Sequence, residues 1–247
     1  MRPRVLEICA GSVQSALAAE AGGAHRIELC QQLEQGGTTP SHGTLARVLA
    51  RVRLPVFVLI RPRPGNFCYD AEELAVMAAD IRHSRALGCA GIVLGALDEA
   101  GGVDRAGCRM LMEAAGHLPV TFHRAFDACP NQAQALEDVI SLGCHRVLTA
   151  GGQPTAPQGL PQLAALVRQA AGRISVMPGA GLTPTTIQAV ARYTGAHELH
   201  ASAKKMVLGL SAARASEFDV PRWETDADSV RELVARLGAD SGETAGA

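Results

Sequence analysis

Aromatic residues are scarce in this chain: one tryptophan, two tyrosines and five phenylalanines among 247 residues, although hydrophobic residues make up 47%. Its core must therefore be aliphatic, built from Val, Ile, Leu and Ala, which is how the layered interior of an α/β barrel is filled. An excess of charge is missing as well. Lys and Arg total 23 and Asp and Glu 24, so no broad field favours a nucleic acid or an anionic membrane, and a specific small ligand fits better. No apolar run approaches the roughly 20 residues of a membrane span. Met1-Arg2-Pro3-Arg4 is basic but runs into Val5-Leu6-Glu7-Ile8, too short and too acidic for a signal-peptide apolar region, and a cytoplasmic location is expected. The seven cysteines are odd in number and contain no CxxC pair, which argues against a disulfide framework and against a zinc knuckle. No GxGxxG follows the first apolar run, so the dinucleotide-binding signal is absent.

What is present is regular. Eight short apolar runs alternate with Ala/Leu-rich helical stretches: Val5 to Cys9, Arg26 to Cys30, Val56 to Arg61, Gly91 to Gly95, Val120 to Arg124, Arg146 to Ala150, Ile174 to Pro178, and Glu198 to Ser202. Such alternation predicts parallel strands with crossover helices, and eight units in about 250 residues fit a single α/β domain of the TIM (β/α)8 barrel class, spanning residues 1–237. Glycines at helix exits, as in Ala21-Gly22-Gly23-Ala24, supply left-handed caps. Thr39-Pro40 and Thr183-Pro184 read as helix starts, and Asp70 with Glu73 as a capping box. The tail from Gly238 to Ala247 has too little apolar surface to pack, and disorder is expected there.

Side chains alternate across a strand, so the polar residues in these runs are informative. In the first run Leu6 and Ile8 must meet the helices, which turns Glu7 and Cys9 into the barrel. The same parity turns Arg26, Glu28 and Cys30 inward in the second, Arg61 in the third, His123 in the fifth, Thr149 with Val147 in the sixth, and His200 with Glu198 and Ser202 in the eighth. Ionisable groups thus gather at the C-terminal mouth, where the active sites of this fold lie. Glu7, Glu28, Arg61, His123, Arg124 and His200 are the catalytic candidates, with Arg61 expected to reach Glu28 in a fork. The bland alternative is a buried ion-pair network in which Glu7 and Glu28 offset Arg26 and Arg61.

Glycines after the late strands give a second signal. Gly151-Gly152 follows the sixth run and Gly179-Ala180-Gly181 the seventh, placing exposed amides where this fold often binds phosphate. A tight turn that needs glycine for backbone reasons explains them equally well.

Several segments together resemble the CutC family: Leu6-Glu7-Ile8-Cys9, Gly22-Gly23-Ala24-His25-Arg26-Ile27-Glu28-Leu29-Cys30, Glu34-Gln35-Gly36-Gly37-Thr38-Thr39-Pro40-Ser41, Ile60-Arg61-Pro62-Arg63, Asn66-Phe67-Cys68-Tyr69, Thr121-Phe122-His123-Arg124-Ala125-Phe126-Asp127, Arg146-Val147-Leu148-Thr149, and Met177-Pro178-Gly179-Ala180-Gly181. The resemblance runs from the start of the chain to about His200. It implies a cytoplasmic TIM barrel, often a homo-oligomer, linked to copper handling, with Cu(I) proposed to bind at the strand-end cysteines matching Cys9 and Cys30. It implies no established reaction. After His200 the chain departs from the family pattern: Lys204-Lys205-Met206-Val207-Leu208-Gly209-Leu210-Ser211 replaces a longer stretch rich in Ser, Asn, Met and Gly.

Two readings stay open at this point. In one the protein binds Cu(I) through Cys9 and Cys30, since soft thiolates select that ion. In the other it is an enzyme acting on a small anionic substrate bearing phosphate or carboxylate, with Glu7 or Glu28 as acid or base, His123 and His200 as proton carriers, and Arg61, Arg63 and Arg124 as clamps.

Overall fold

The computed structural model describes residues 3–207 and 221–238. Eight parallel strands form one sheet: β1 (Val5–Ala10), β2 (Arg26–Leu29), β3 (Val56–Leu59), β4 (Gly91–Leu94), β5 (Val120–Phe122), β6 (Arg146–Thr149), β7 (Ser175–Pro178) and β8 (Glu198–Ala201). Their order is β7-β6-β5-β4-β3-β2-β1-β8, so β8 folds back beside β1 and the sheet curls into a barrel. Helices α1 (Val13–Ala21), α2 (His42–Leu49), α3 (Ala71–Ala86), α4 (Arg105–Ala115), α5 (Gln132–Ser141), α6 (Leu160–Ala170) and α7 (Ile187–Thr194) alternate with the strands. Each of the eight apolar runs is a strand, shortened at its C-terminal end in most cases because the last residues turn into the mouth loops. Among the described residues, no helix is long and apolar enough to cross a membrane.

Beyond β8 the chain adds elements that alternation did not announce. Strands β9 (Lys204–Val207) and β10 (Arg222–Thr225) pair as an antiparallel ribbon, and α8 (Ala227–Gly238) follows. Residues 204–207 of the divergent segment therefore form β9, whereas 208–211 lie outside the described residues. Gly238 closes α8, and the rest of the expected disordered tail, 239–247, also lies outside them. Helix α8 packs on α1 and α7, completing the outer ring. Gly22 makes this docking possible, since a Cβ there would sit 2.5 Å from Val230 Cβ, while its neighbour Gly23 takes the left-handed turn at φ +86°.

Two helix starts differ from expectation. Ser41, not Thr39, caps α2, because the Thr39 hydroxyl accepts from the Arg61 amide at 2.9 Å and is committed to the β3 exit. The α7 helix begins three residues after Pro184, with Thr186 Oγ1 accepting from Thr183 N at 3.0 Å. Asp70 and Glu73 do form a capping box on α3.

The barrel separates two apolar regions. Leu6, Ile8, Ile27, Val58, Ile92, Phe122, Val147 and Leu199 face the helices in one large core, whereas Cys9, Cys30, Phe57, Leu59 and Val93 make a small cluster inside the barrel. Parity holds on β1, β2, β3, β5 and β8. It fails on β6, where Val147 packs outward and Arg146 and Leu148 point inward, turning Thr149 away from the barrel. The run Arg-Val-Leu-Thr is apolar at both parities, and an inward arginine wins because the interior supplies a carboxylate: Arg146 Nε donates to Glu198 Oε2 at 2.5 Å.

That contact belongs to a buried charged layer. Arg26 donates to Glu7 and, through Nη2, to Glu198 at 2.8 Å, and the Phe57 ring lies 5.0 Å from Arg26 Cζ and 5.1 Å from Arg146 Cζ. Of the anticipated ion-pair network, Glu7 with Arg26 is present, Glu198 and Arg146 complete it, and Glu28 and Arg61 stand outside it. Burial pushes the Glu7 carboxyl towards neutrality, but the Arg26 guanidinium and His200 outweigh burial and hold its pKa at about 2.

A carboxyl depressed from about 4.3 in the unfolded chain stabilises the fold fully above that value and loses its contribution as pH falls towards 2. Glu7→Gln should therefore lower unfolding free energy near pH 7 by about 3–5 kcal/mol, the range for breaking a buried pair, and flatten the loss of stability between about pH 4 and 2. Urea denaturation across this pH range measures both; an unchanged acid limb would mean that Glu7 does not carry it.

Candidate functional site

At the C-terminal mouth, β1 and β2 present their last inward residues side by side. Cys9 is opposite Glu28 in the parallel register, and Cys30 follows as β2 ends, its amide bonded to Ala10 O at 3.1 Å. The two sulfurs lie 3.4 Å apart as free thiols, and Cys9 Sγ donates to Glu28 Oε1 at 3.5 Å. His200 on β8 is opposite Glu7, and its Nδ1 meets Glu7 Oε1 at 2.8 Å. A Cys9 sulfur, a Glu28 oxygen and a His200 nitrogen all lie within 4.8 Å of one another, the one group of three such donors among the described residues. Sequence parity brought Glu7, Cys9, Glu28, Cys30 and His200 to this end, but it did not reveal that the presumed metal and catalytic sets are one cluster.

The electrostatics of this cluster have definite directions. The hydrogen bond with Cys30, then burial, raises the Cys9 thiol well above its ordinary value. Burial also raises the Glu28 carboxyl, whose Oε2 has no hydrogen-bond partner. For His200, burial works against the charged ring, but Glu28, Cys9 and Glu7 together push its pKa well up. Glu7 adds an anion held directly against Nδ1, since its own pKa is low.

Above the cluster opens a cavity of about 510 Å³. Cys9, Glu28 and His200 face it from the barrel, Arg61 and His123 line it further round, and Arg124 and Lys204 stand at its edge. The expected Arg61–Glu28 fork is not formed. Arg61 instead donates through Nη1 to Gln35 O at 3.0 Å and Gly37 O at 2.8 Å, and through Nη2 to Gly65 O at 2.8 Å, tying together the loops after β2 and β3. Those carbonyls, unlike Glu28, lie in loops that the sequence alone does not place. Arg63 points elsewhere, to Glu73 of α3, and does not line the cavity. Arg124 pairs with Asp127 at 2.7 Å. Lys204 lies 4.6 Å from the centre of the Trp223 ring, and Lys205 turns to Asp226 at 2.5 Å.

Three of the five anticipated amides, those of Gly151, Gly152 and Gly179, are bonded within the chain. Gly152 N and Ala150 N donate to Asp127 at 3.0 Å, Gly151 N donates to Thr149 Oγ1 at 2.8 Å, and Gly179 N donates to Thr149 O at 3.0 Å. A carboxylate of the chain itself, Asp127, occupies the place near β6 where an anion was anticipated. Ala180 and Gly181, both with positive φ, do line the cavity. Gly179 is needed for space: a Cβ there would lie 2.4 Å from Leu148 Cδ1 and 3.2 Å from His200 Cβ, across the line where β7 meets β8.

A profile described as "CutC family" matches residues 4–205. The chain belongs to the CutC family. A CutC-named relative from Xanthomonas axonopodis pv. citri is 57% identical over 202 residues, covering 82% of this chain and 84% of its own length. The human copper homeostasis protein cutC homolog is 50% identical over 200 residues, covering 81% and 73% respectively. Among solved structures, the CutC protein of Streptococcus agalactiae superposes with a TM-score of 0.78 at 32% identity, covering 81% of this chain and 98% of that one. An N-(5'-phosphoribosyl)anthranilate isomerase from Pyrococcus furiosus, at TM-score 0.59 and 15% identity, shares the barrel fold. The match to the CutC profile ends two residues into the ribbon segment, so β10 and α8 of this chain lie beyond it.

The ribbon nevertheless supports the CutC barrel at the strand that carries Cys9. Glu224 of β10 accepts from Ser12 Oγ and Ser15 Oγ at 2.7 Å each, and Thr225 Oγ1 donates to Cys9 O at 3.4 Å. No sequence signal marked these residues, because the partners are more than 200 positions apart. Gly179→Ala should lower unfolding free energy by about 1–3 kcal/mol through overpacking against Leu148 and His200. Chemical denaturation tests it, and wild-type stability in this variant would show that the seam has room to spare.

Proposed function

We propose that this CutC protein binds Cu(I) in the cytoplasm as part of copper homeostasis, with Cys9 and Cys30 as the sulfur donors and His200 as a nitrogen donor beside them. The observation that carries this reading is the 3.4 Å approach of two free, buried thiols on adjacent strands, one of which, Cys9, lines the cavity beside the His200 imidazole. Two thiols and an imidazole are the donor types that soft, low-valent copper prefers over oxygen ligands. The unpartnered Oε2 of Glu28 fits the same reading, because a cation at the sulfurs would give that buried oxygen a nearby positive charge.

The surrounding residues have separable tasks. Glu7 holds His200 through Nδ1, and Nε2 can bind the metal once it gives up the proton that the raised pKa of the ring favours; a carboxylate bound to the far nitrogen of a ligating histidine fixes its ring and raises its basicity. The raised Cys9 thiol must give up its proton when a metal arrives, and Glu28, which accepts from that thiol, is the adjacent group placed to take it. Binding and proton release are thereby linked. The human relative and the Streptococcus agalactiae relative carry copper homeostasis in their descriptions, which supports the same assignment. Assembly into homo-oligomers accompanies this reading through the family resemblance.

Competition against a chromogenic Cu(I) chelator under reducing conditions provides the test. Cys9→Ala with Cys30→Ala should abolish stoichiometric binding, and wild-type affinity should climb as pH rises because protons are released. Glu7→Gln, assayed where it is folded, should weaken binding by about 10–100-fold. Unchanged affinity in the double cysteine variant would exclude these sulfurs as the copper site.

A further inference from the structure

Copper at the thiols leaves the β7 side of the mouth unexplained. There Ala180 and Gly181 take φ of +72° and +71°, and neither amide has a hydrogen-bond partner among the described residues. Both residues line the cavity, Ala180 half-buried and Gly181 exposed. The Ala180 carbonyl accepts from Ala156 N at 2.9 Å, and Ala156 is buried behind the cavity wall. A trans peptide sets its N–H opposite its C=O, so the Gly181 N–H turns away from Ala156 and towards the cavity. Successive amides in left-handed backbone make a concavity that holds anions.

Charge points the same way. Arg61, Arg124 and Lys204 line the cavity, against Glu28 as the one carboxylate among its described lining residues. Arg61 is buried and held by three neutral carbonyls, with no carboxylate among the described residues to offset it. Its charge biases the cavity towards an anion without contact, since a charge in a low-dielectric wall is weakly screened. Lys204 is exposed on β9, rests on the Trp223 ring and makes no ion pair among the described residues. Arg124 leans from the end of β5 over the loop after β6, where it donates to Gln153 O at 3.4 Å; its partner Asp127 is held in turn by the amides of Ala150 and Gly152. One cation therefore flanks the Ala180–Gly181 loop from the β8 side and one from the β6 side.

We propose that the cavity binds a small organic phosphate monoester, its phosphate oxygens accepting from the amides of Ala180 and Gly181 between Lys204 and Arg124, and its organic part lying along Leu148, Leu59 and Phe67. A tetrahedral dianion can engage two adjacent amides and two cations at once, which a planar monoanion cannot. The apolar wall favours an ester over free phosphate, and about 510 Å³ falls within the range of about 300–1,000 Å³ typical of small-molecule sites. None of Cys9, Cys30 and His200 is used, so the site stands independently of copper binding.

Thermal melting and titration calorimetry of the full chain with phenyl phosphate, inorganic phosphate, benzoate and phenol, at equal ionic strength and kept metal-free by a chelator, test the proposal without involving copper. Phenyl phosphate should raise the melting midpoint with concentration, as a ligand of the folded state does, and should bind more tightly than the other three. Ala180→Asp sets a carboxylate beside the amides and should weaken phenyl phosphate at least about 10-fold, whereas Ala180→Asn, of the same shape and equally suited to left-handed backbone, should stay within about 3-fold. Lys204→Met should cost about 10-fold, the loss of one charge-assisted hydrogen bond. If Ala180→Asp does not fold, Lys204→Met and the ligand comparison decide. Benzoate that binds as well as phenyl phosphate, or wild-type phenyl phosphate affinity in folded Ala180→Asp, would overturn the proposal.

Discussion

Glu7 is the constraint on which the interior of this barrel depends. It is fully buried, yet the arginine below it and the histidine beside it keep it ionised. A buried anion must be paired or it will take up a proton, and the pairing fixes three strands at once. Arg26 is drawn up on β2, His200 is drawn across on β8, and Arg26 passes the charge on to Glu198 and so to Arg146 on β6. The Phe57 ring fills the space between the two guanidiniums, so the layer is both neutralised and packed.

This layer forms the floor beneath the cavity. Because Glu7 holds His200 by one nitrogen, the other is turned towards Cys9 and Glu28, and because Arg26 and Arg146 are occupied below, neither competes for Glu28. Glu28 is left with a thiol as its partner and one oxygen without any. Such an arrangement is a costly way to gain stability and makes more sense as a site than as a fastening. Around the mouth, the loops are fastened by other means: Arg61 draws three carbonyls together, Asp127 gathers the amides after β6, and Glu224 and Thr225 reach back from the ribbon to the end of β1.

Much of this is legible in the sequence. Eight strands follow from eight apolar runs, and the inward position of Glu7, Cys9, Glu28, Cys30, Arg61, His123 and His200 follows from parity, because Leu6, Ile8, Ile27, Leu29 and their counterparts leave the polar residues only one face. Parity misled on β6, where Val147 and Leu148 are equally apolar and nothing local distinguishes in from out. The glycine pairs after β6 and β7 were ambiguous for a related reason: left-handed backbone, close approach and anion binding all ask for glycine, and Gly179 answers to close approach.

The sequence by itself determined the fold class, the family and the list of polar residues at the mouth, since these depend on periodicity, composition and motif, which are properties of neighbours along the chain. Tertiary structure alone decided the partners. Whether Glu28 would meet Arg61 or Cys9, whether Arg61 would clamp a ligand or three carbonyls, and whether Asp127 would stand where an anion was anticipated all depend on strand stagger and loop path around a closed barrel. Charged groups in a low-dielectric interior pair with the nearest geometrically suitable group, and distances between residues far apart in sequence exist only once the barrel has closed.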